Sequence, residues 1–258
     1  RFPMLKYELL PKQLLHEGTA ECTDFYSPDS IDLSLVHAVH TVSYVKALTE
    51  LTLDAKAVRS IGFPLSAALV ERELRIAQGT VVGCNHALEH GIAFNIAGGT
   101  HHAFSDRGEA FCLLNDQAIA AQYLINQKKC HKILIVDLDV HQGNGTAEIF
   151  QNNADVITFS MHGQSNYPFR KETSDYDIAL PDKTDDTTYL SILQETLPEL
   201  LNIHRPDFVF YLAGVDILGT DKLGKLGCTL EGCKTRDSYV LGLCKSLGIP
   251  VQVSMGGG

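Results

Sequence analysis

Apolar residues along the chain follow two alternating spacings, and each spacing predicts one kind of element. Apolar side chains three or four positions apart predict helices, and short continuous apolar runs predict buried strands. The predicted helices lie at about 1–17, 31–53, 64–78, 115–128, 145–151, 187–203 and 232–247. The predicted strands lie at 80–84, 133–136, 155–162, 207–213 and 249–254, with Gly79 ending the helix before the first strand and a polar loop at 163–186. Strands and helices alternate as βα units do, which predicts a three-layer α/β/α domain around a mainly parallel sheet.

The strand at 133–136 ends in polar residues spaced two apart. Asp137, Asp139 and His141 follow it at alternate positions, so an extended chain points them to one side. Residues 142–145 then form a turn that cannot continue the strand. Open α/β sheets bind ligands at the carboxyl ends of their strands, so the cluster predicts a metal-dependent active site. The structural alternative is that one aspartate caps the following helix and the other faces solvent.

Two aspartates beyond the strand at 207–213 are candidates to complete a metal site. Asp216 and Asp221 follow that strand, whose end lies on the same edge of a parallel sheet as the first cluster. Asp139, His141 and either of the two would make a three-ligand site with a position open for water, as in catalytic zinc centres. Oxygen-rich ligation also suits iron(II), cobalt or manganese.

Adjacent histidines after a glycine pair provide the candidate general base. Two carboxylates cancel the charge of a divalent cation, so such a metal acidifies its water less than an all-histidine site would. The reaction then needs a nearby base, which His101 or His102 can supply from the loop after Gly98 and Gly99. The alternative interpretation is an exposed pair on a loop.

Other histidines are predicted not to bind metal. His37 and His40 have no carboxylate at ligand spacing, which favours packing or hydrogen bonding. His86 and His90 are four residues apart, but the metalloprotease pattern needs glutamate directly after the first histidine, and Ala87 stands there.

Composition narrows the class of protein. The formal net charge is −10 and no cluster of lysine or arginine occurs, which argues against nucleic-acid binding driven by phosphate contacts. Seven cysteines without a Cys-x-x-Cys pattern indicate reduced thiols and a cytoplasmic protein. No apolar run reaches the roughly 20 residues of a membrane span, and no segment has the pattern of a signal peptide.

The two ends of the chain bear on its domain organisation. The chain has no initiator methionine, and it stops on three glycines directly after a predicted strand. No internal repeat or linker divides it. We therefore expect a single catalytic domain over residues 1–258 that is truncated at both ends.

Several segments resemble the signature motifs of one family. They are RFPMLKYELL, GGTHHAF, AFCLLND, DLDVHQGNGT, VDILGTDKLG and the terminal GGG. In this order they resemble the zinc-dependent histone deacetylases of the arginase/deacetylase superfamily. RFPM, together with His-Gln-Gly-Asn, is most similar to class IV and its bacterial relatives. The resemblance implies the α/β/α fold of that superfamily and hydrolysis of acetyl-lysine or longer acyl-lysine amides in proteins or peptides.

The resemblance also implies metal ligands and substrate contacts. Zinc would be held by Asp139, His141 and Asp221, with Asp216 in a supporting role. A structural potassium ion would be bound by Asp137, Asp139, His141, Ser160 and Met161. Substrate contacts would come from Phe111, Tyr167, Gly99 and Gly257, the two aromatic residues forming the walls of a tunnel for the acyl-lysine stem.

The catalytic residues implied by the resemblance are His101, His102, Asp137 and Asn144. His102 would be the general base, and His101, hydrogen-bonded to Asp137, would assist it. Many relatives have aspartate in place of Asn144, so His102 lacks a charged partner and should be less basic. A second departure is the family's oxyanion-stabilising tyrosine, which follows the glycine run, whereas this chain stops at Gly258. Lack of that donor would cost on the order of a hundredfold in rate.

The predicted function is removal of acyl groups from lysine side chains by metal-activated water, with one zinc per chain, or iron(II) or cobalt in its place. The alternative enzyme is an acetylpolyamine or other small-molecule amidohydrolase. A binuclear manganese enzyme of the arginase type is disfavoured, because Gly143 stands where that group places another aspartate. The alternative from a different class is a non-catalytic domain that binds acyl-lysine.

Overall fold

The computed structural model describes residues 4–256 and contains a six-stranded sheet between layers of helices. The strands are β1 (Ile92–Asn95), β2 (Ile133–Asp137), β3 (Val156–Gly163), β4 (Tyr176–Leu180), β5 (Phe208–Leu212) and β6 (Val251–Ser254). The helices are α1 (Lys6–His16), α2 (Leu33–Val36), α3 (Val42–Thr49), α4 (Ala55–Ile61), α5 (Ala67–His90), α6 (Asp116–Asn126), α7 (Asn144–Phe150), α8 (Asp186–His204) and α9 (Leu230–Leu247).

Neighbouring strands of the sheet run parallel, in the order β1-β6-β5-β2-β3-β4. All residues of β2 and β5 are buried, as expected where helices cover both faces. The last residue of β2, Asp137, pairs with Leu212 of β5 and with Ser160 of β3. The carboxyl ends of these three strands therefore lie at one edge, which confirms the predicted parallel sheet.

Alternate residues of the central strands enter two separate hydrophobic clusters. Ile133 and Ile135 of β2 pack with apolar side chains of α3, α4, α5 and α6. Leu134 and Val136 pack with those of α8 and α9. Successive side chains of a strand point to opposite faces, so one strand supplies both clusters. Helices thus cover the sheet on both sides, and the predicted three-layer architecture is confirmed.

The largest departure from prediction is one long helix where a helix and a strand were expected. α5 continues through Gly79, the predicted stop, and through the predicted strand at 80–84. A Cβ at Gly79 would lie 3.1 Å from Asn95 Nδ2, so the glycine permits close packing against the residue that ends β1 and does not end the helix. The apolar run at 80–84 instead fills the buried face of α5, and its length alone could not distinguish the two.

Other segments also differ from prediction, including α4, which was not predicted. The helix expected at 31–53 is divided into α2 and α3, because the side chain of Thr41 accepts a hydrogen bond from Tyr44 N and begins a new helix. The polar loop expected at 163–186 contains β4. β1 was also missed. Both are edge strands with exposed alternate residues, so neither has the continuous apolar run of a central strand.

The histidines predicted to lie outside the metal site do so. His37, His86 and His90 are exposed, and His40 is buried. His40 Nδ1 lies 2.8 Å from Phe104 O, and His40 Nε2 accepts a hydrogen bond from Asn115 N at 3.0 Å. These two contacts require a neutral ring with its proton on Nδ1. Separately, no helix within residues 4–256 has the length and apolar character needed to cross a bilayer.

Acidification is expected to destabilise the fold through His40. Burial lowers the pKa of His40 to about 4, below the value of 6.5 typical of an unfolded chain. The stability that the neutral His40 ring contributes to the fold is therefore fully present above pH 6.5 and is lost as the pH falls toward 4. From about pH 7 to about pH 4.5, the free energy of unfolding should fall by roughly 2–3 kcal/mol more in the wild type than in His40→Gln.

This difference can be measured by urea unfolding of both proteins in EDTA. His162, whose pKa burial also lowers to about 4, titrates in both proteins and cancels from the comparison. Equal losses of stability on acidification would contradict the assignment of a neutral, hydrogen-bonded His40.

Candidate metal centre and catalytic histidines

The polar residues at the end of β2 separate into two groups. Asp137 belongs with His101: its Oδ2 lies 2.7 Å from His101 Nδ1, and its Oδ1 accepts a hydrogen bond from Asp139 N at 3.1 Å. Asp139 belongs with His141: its Oδ1 accepts a hydrogen bond from His141 N and lies 2.9 Å from His141 Nδ1. The predicted contact between Asp137 and His101 is therefore present.

Asp139, His141 and Asp216 form a compact group beyond the ends of β2 and β5. One candidate ligand atom from each lies within 4.8 Å of the others. His141 Nδ1 is 3.3 Å from Asp216 Oδ2. Oδ1 of Asp216 accepts a hydrogen bond from Val140 N at 3.0 Å, which ties the loop after β5 to the loop after β2. Both aspartates are buried, and His141 is half-buried.

Two carboxylate oxygens of this group lack a hydrogen-bond partner among residues 4–256. They are Oδ2 of Asp139 and Oδ2 of Asp216, both buried. Burying carboxylate oxygens that accept no hydrogen bond is costly. Burial, together with the charge of Asp139, raises the pKa of Asp216 to about 6. A divalent cation would satisfy both oxygens and offset their repulsion, with His141 as a nitrogen ligand, so the residues fit such an ion.

The third member of the predicted ligand set is corrected by the structure. Asp216, and not Asp221, completes the group with the other two candidates. Oδ1 of Asp221 accepts hydrogen bonds from the backbone of Leu223 and Gly224, both at 2.7 Å. The Asp221 carboxylate therefore closes a local turn. Asp216 follows the last residue of β5, Leu212, by only four positions and stays at the edge of the sheet.

The adjacent histidines have different partners. His101 pairs with the Asp137 carboxylate, whereas His102 Nδ1 lies 2.6 Å from Oδ1 of Asn144. The two rings are 4.0 Å apart between centroids, and the ring of His102 is 6.0 Å from that of His141. Both adjacent histidines are buried. The partner that the sequence predicted for each is the one observed.

These partners give the two imidazoles opposite protonation preferences. Burial favours the neutral ring in both. At His101 the Asp137 carboxylate outweighs burial and raises the pKa to about 9. At His102 burial and the charge of His101 hold the pKa well below its usual value, and the amide of Asn144 does not compensate. Near neutral pH one ring is charged and its neighbour is neutral, which suits an electrostatic role for His101 and a base at His102.

The loop that carries the histidines is fixed by Asp116 at the start of α6. Its Oδ1 accepts hydrogen bonds from Gly99 N at 2.9 Å and Thr100 N at 2.8 Å, and its Oδ2 accepts one from Thr80 Oγ1 at 2.6 Å. Gly99 has a φ of +99°, and a Cβ there would lie 2.8 Å from Cα of Gly256. Glycine is therefore required at this close approach. This role of Asp116 was not predicted from the sequence.

The predicted tunnel residues Phe111 and Tyr167 lie on two loops that are joined beside His102. The ring of Tyr167 stands edge-on to that of His102, with centroids 5.0 Å apart. The Tyr167 hydroxyl donates to Glu109 Oε2 at 2.7 Å. Phe111 follows two residues later and has a φ of +69°, a conformation uncommon outside glycine and typical of functional segments. Gly257, the remaining predicted substrate contact, lies outside the described residues.

Three of the residues predicted to bind potassium, Asp137, Ser160 and Met161, lie where β2 ends beside β3. Asp137 is paired with Ser160 in the ladder, and buried Met161 follows. Ser160 Oγ also lies 3.0 Å from His162 Nδ1. The strand register thus places two residues 23 positions apart side by side, and the ion itself stays a prediction.

Arg236 is a buried residue near this site that was not predicted from the sequence. It lies within α9 and is completely buried. The other buried residues of that helix, Gly232, Cys233, Val240 and Cys244, follow helical spacing and include Arg236 in their face. An arginine on the apolar face of a predicted helix was therefore the available signal.

Known proteins are similar to this chain in sequence and in architecture. The family described as histone deacetylase domain matches residues 2–258. An uncharacterized protein of Picosynechococcus sp. (strain PCC 7002) is 48% identical over 258 residues, covering 100% of this chain and 86% of that protein. Histone deacetylase 2 of Arabidopsis thaliana is 28% identical over 268 residues, covering 100% and 69%. The crystal structure of an HDAC homolog from Aquifex aeolicus has the same fold, with a TM-score of 0.80, 24% identity, and coverage of 92% and 69%.

Proposed function

Because this chain belongs to the histone deacetylase family, we propose that it is a metal-dependent amidohydrolase that removes acyl groups from lysine side chains of proteins or peptides. The observation that carries the proposal is a pair of buried carboxylate oxygens, on Asp139 and Asp216, that accept no hydrogen bond from the described residues and lie in the same site as a neutral buried His102. Hydrolysis of an unactivated amide calls for both an electrophilic centre and a base. The motifs around His141 and the start of the chain support placement near class IV.

The proposed metal is zinc, one ion per chain, held by Asp139, His141 and Asp216. This donor set leaves a position open for a water molecule or a carbonyl oxygen, and iron(II) or cobalt would also suit it. When bound, the metal would lower the pKa of a water molecule and polarise the acyl carbonyl. A structural potassium ion beside Asp137 and Ser160 is proposed from the β2–β3 register.

His102 is the proposed general base. Its Nδ1 donates to the side-chain oxygen of Asn144, which leaves Nε2 as the atom that accepts a proton from water. Its low pKa keeps the ring unprotonated at the start of the reaction. His101, charged through its contact with Asp137, stabilises negative charge that develops on the acyl oxygen. Either imidazole can then return a proton to the leaving lysine amine.

The acyl-lysine is proposed to enter between the loops of Phe111 and Tyr167, with Gly99 along its path. A lysine stem is apolar, so aromatic walls are suitable contacts. Tyr167 supports this arrangement because its ring packs against the proposed base. Similarity to class IV motifs favours acyl groups longer than acetyl among the substrates.

The proposal is tested with purified full-length protein supplied with zinc. We expect hydrolysis of at least one acetyl-lysine or longer acyl-lysine peptide, one zinc per chain, and loss of activity in EDTA that zinc restores. Turnover of acetylpolyamines without turnover of any peptide would favour a small-molecule amidohydrolase. Tight binding of an acylated peptide without cleavage would favour a binding domain, and two tightly bound manganese ions would overturn the single-zinc assignment.

A further inference from the structure

We infer that Arg236 is a positioning residue of the candidate metal centre, which holds together the two strand ends that carry Asp139 and Asp216. The inference rests on the proposed metal site. It adds to that site a residue that is neither a ligand nor in contact with substrate.

The Arg236 guanidinium joins two backbone segments, one after β2 and one after β5, where the hydrogen bonds between these strands end. Its Nη1 donates to Leu138 O at 3.1 Å and to Gly214 O at 2.7 Å. Leu138 directly precedes Asp139, and Gly214 precedes Asp216 by two positions. The last backbone hydrogen bond of the β2–β5 ladder runs from Leu138 N to Leu212 O, at 3.1 Å. Beyond this hydrogen bond, Nη1 of Arg236 links the backbones of the two segments.

Two other contacts hold the same two backbone segments together. Oδ1 of Asp216 accepts a hydrogen bond from Val140 N at 3.0 Å. The two segments are also in close contact: a Cβ on Gly214 would lie only 2.8 Å from Cα of Asp139. Arg236 on one side and Val140 on the other therefore set the separation of the two carboxylates through the backbone. The two carboxylates are thus brought together before any ion binds, which is preorganisation of a metal site.

The charge and shape of arginine suit this position. Asp237 Oδ1 lies 2.9 Å from Arg236 Nε and 2.8 Å from Arg236 Nη2, and it also accepts a hydrogen bond from the Tyr211 hydroxyl. A fully buried cation is costly unless it is paired and hydrogen-bonded, so these contacts hold the guanidinium in one place. The planar group binds a carboxylate and two carbonyls at once, whereas the ammonium of lysine cannot reproduce this geometry.

The inference is tested by Arg236→Lys, which keeps the charge and removes the paired carbonyl contacts. The dissociation constant for zinc, measured by competition with a chromophoric chelator, should rise roughly 10- to 100-fold, as for other residues that orient metal ligands. The absorption spectrum of the cobalt(II)-loaded protein should also change, because the carboxylates shift relative to His141. Thermal unfolding in EDTA measures the cost to the metal-free fold separately.

Tyr211→Phe is the matched control. It disturbs the same buried cluster through Asp237 and leaves both carbonyl contacts intact, so it should lower metal-free stability without changing zinc affinity. Wild-type zinc affinity in Arg236→Lys, or equal weakening in both variants, would overturn the inference and leave the proposed function standing. If Arg236→Lys does not fold, Arg236→Gln takes its place, and an unchanged zinc affinity there has the same meaning. No zinc binding by the wild type would overturn both.

Discussion

Asp216→Asn is expected to bind no zinc at micromolar concentration and to lose amide hydrolysis by about a thousandfold or more. The substitution removes the carboxylate charge at Asp216, whose buried Oδ2 accepts no hydrogen bond within residues 4–256 and lies 3.3 Å from His141 Nδ1. It keeps the size of the side chain and an oxygen that can accept the hydrogen bond from Val140 N. Loss of several kcal/mol of transition-state stabilisation by the metal corresponds to this decrease in rate.

Asp221→Asn is the control for that variant. Its side-chain oxygen can still accept the backbone hydrogen bonds of Leu223 and Gly224, so the turn should persist. We expect zinc content, measured by elemental analysis of dialysed protein, and activity to remain close to those of the wild type. Zinc retained by the Asp216 variant and lost by the Asp221 variant would restore the ligand set predicted from the sequence.

His102→Ala is expected to reduce kcat/KM by about 10²- to 10⁴-fold while zinc remains bound at one ion per chain. Removing a general base has an effect of this size. Zinc should be retained because His102 Nδ1 contacts Asn144 and is not part of the carboxylate–imidazole group. Zinc content and steady-state kinetics on the same preparation separate the two effects.

His86→Ala serves as the comparison for this variant. His86 is an exposed histidine of α5 and should be dispensable for both activity and zinc binding. If His102→Ala kept more than about a tenth of the activity, the role of base would pass to another group, with His101 the nearest imidazole. If the variant lost zinc, a structural role for His102 would account for its effect.

The accuracy of the sequence predictions follows how local each signal is. β2 was predicted correctly because a fully buried strand shows as a continuous apolar run. The strand expected at 80–84 was wrong, because the same kind of run lies on the buried face of α5. Gly79 lies within that helix and packs closely against Asn95, a contact that the sequence does not show. β1 and β4 carried too little apolar signal to be found, since edge strands expose alternate residues.

The candidate site shows the same division. The pairing of His101 with Asp137, and of His102 with Asn144, followed from the resemblance and is present in the structure. Arg236 stands on the apolar face of a predicted helix, which indicates its burial, but its partners could not be predicted, because they are backbone carbonyls far away along the chain. No spacing of residue types in the sequence records such a contact.

The sequence by itself determined the α/β/α architecture, the family, and the alternation of Asp137, Asp139 and His141 at the end of one strand. These follow from periodicities and motifs that are set within short segments of chain. The tertiary structure alone decided between Asp216 and Asp221, because both follow β5 within a few residues and only the path of the loop separates them. Asp216 is held at the sheet edge by Val140 N, whereas the Asp221 carboxylate is used in a turn. A metal site is defined by distances between atoms, and distances across strands arise only when the sheet assembles.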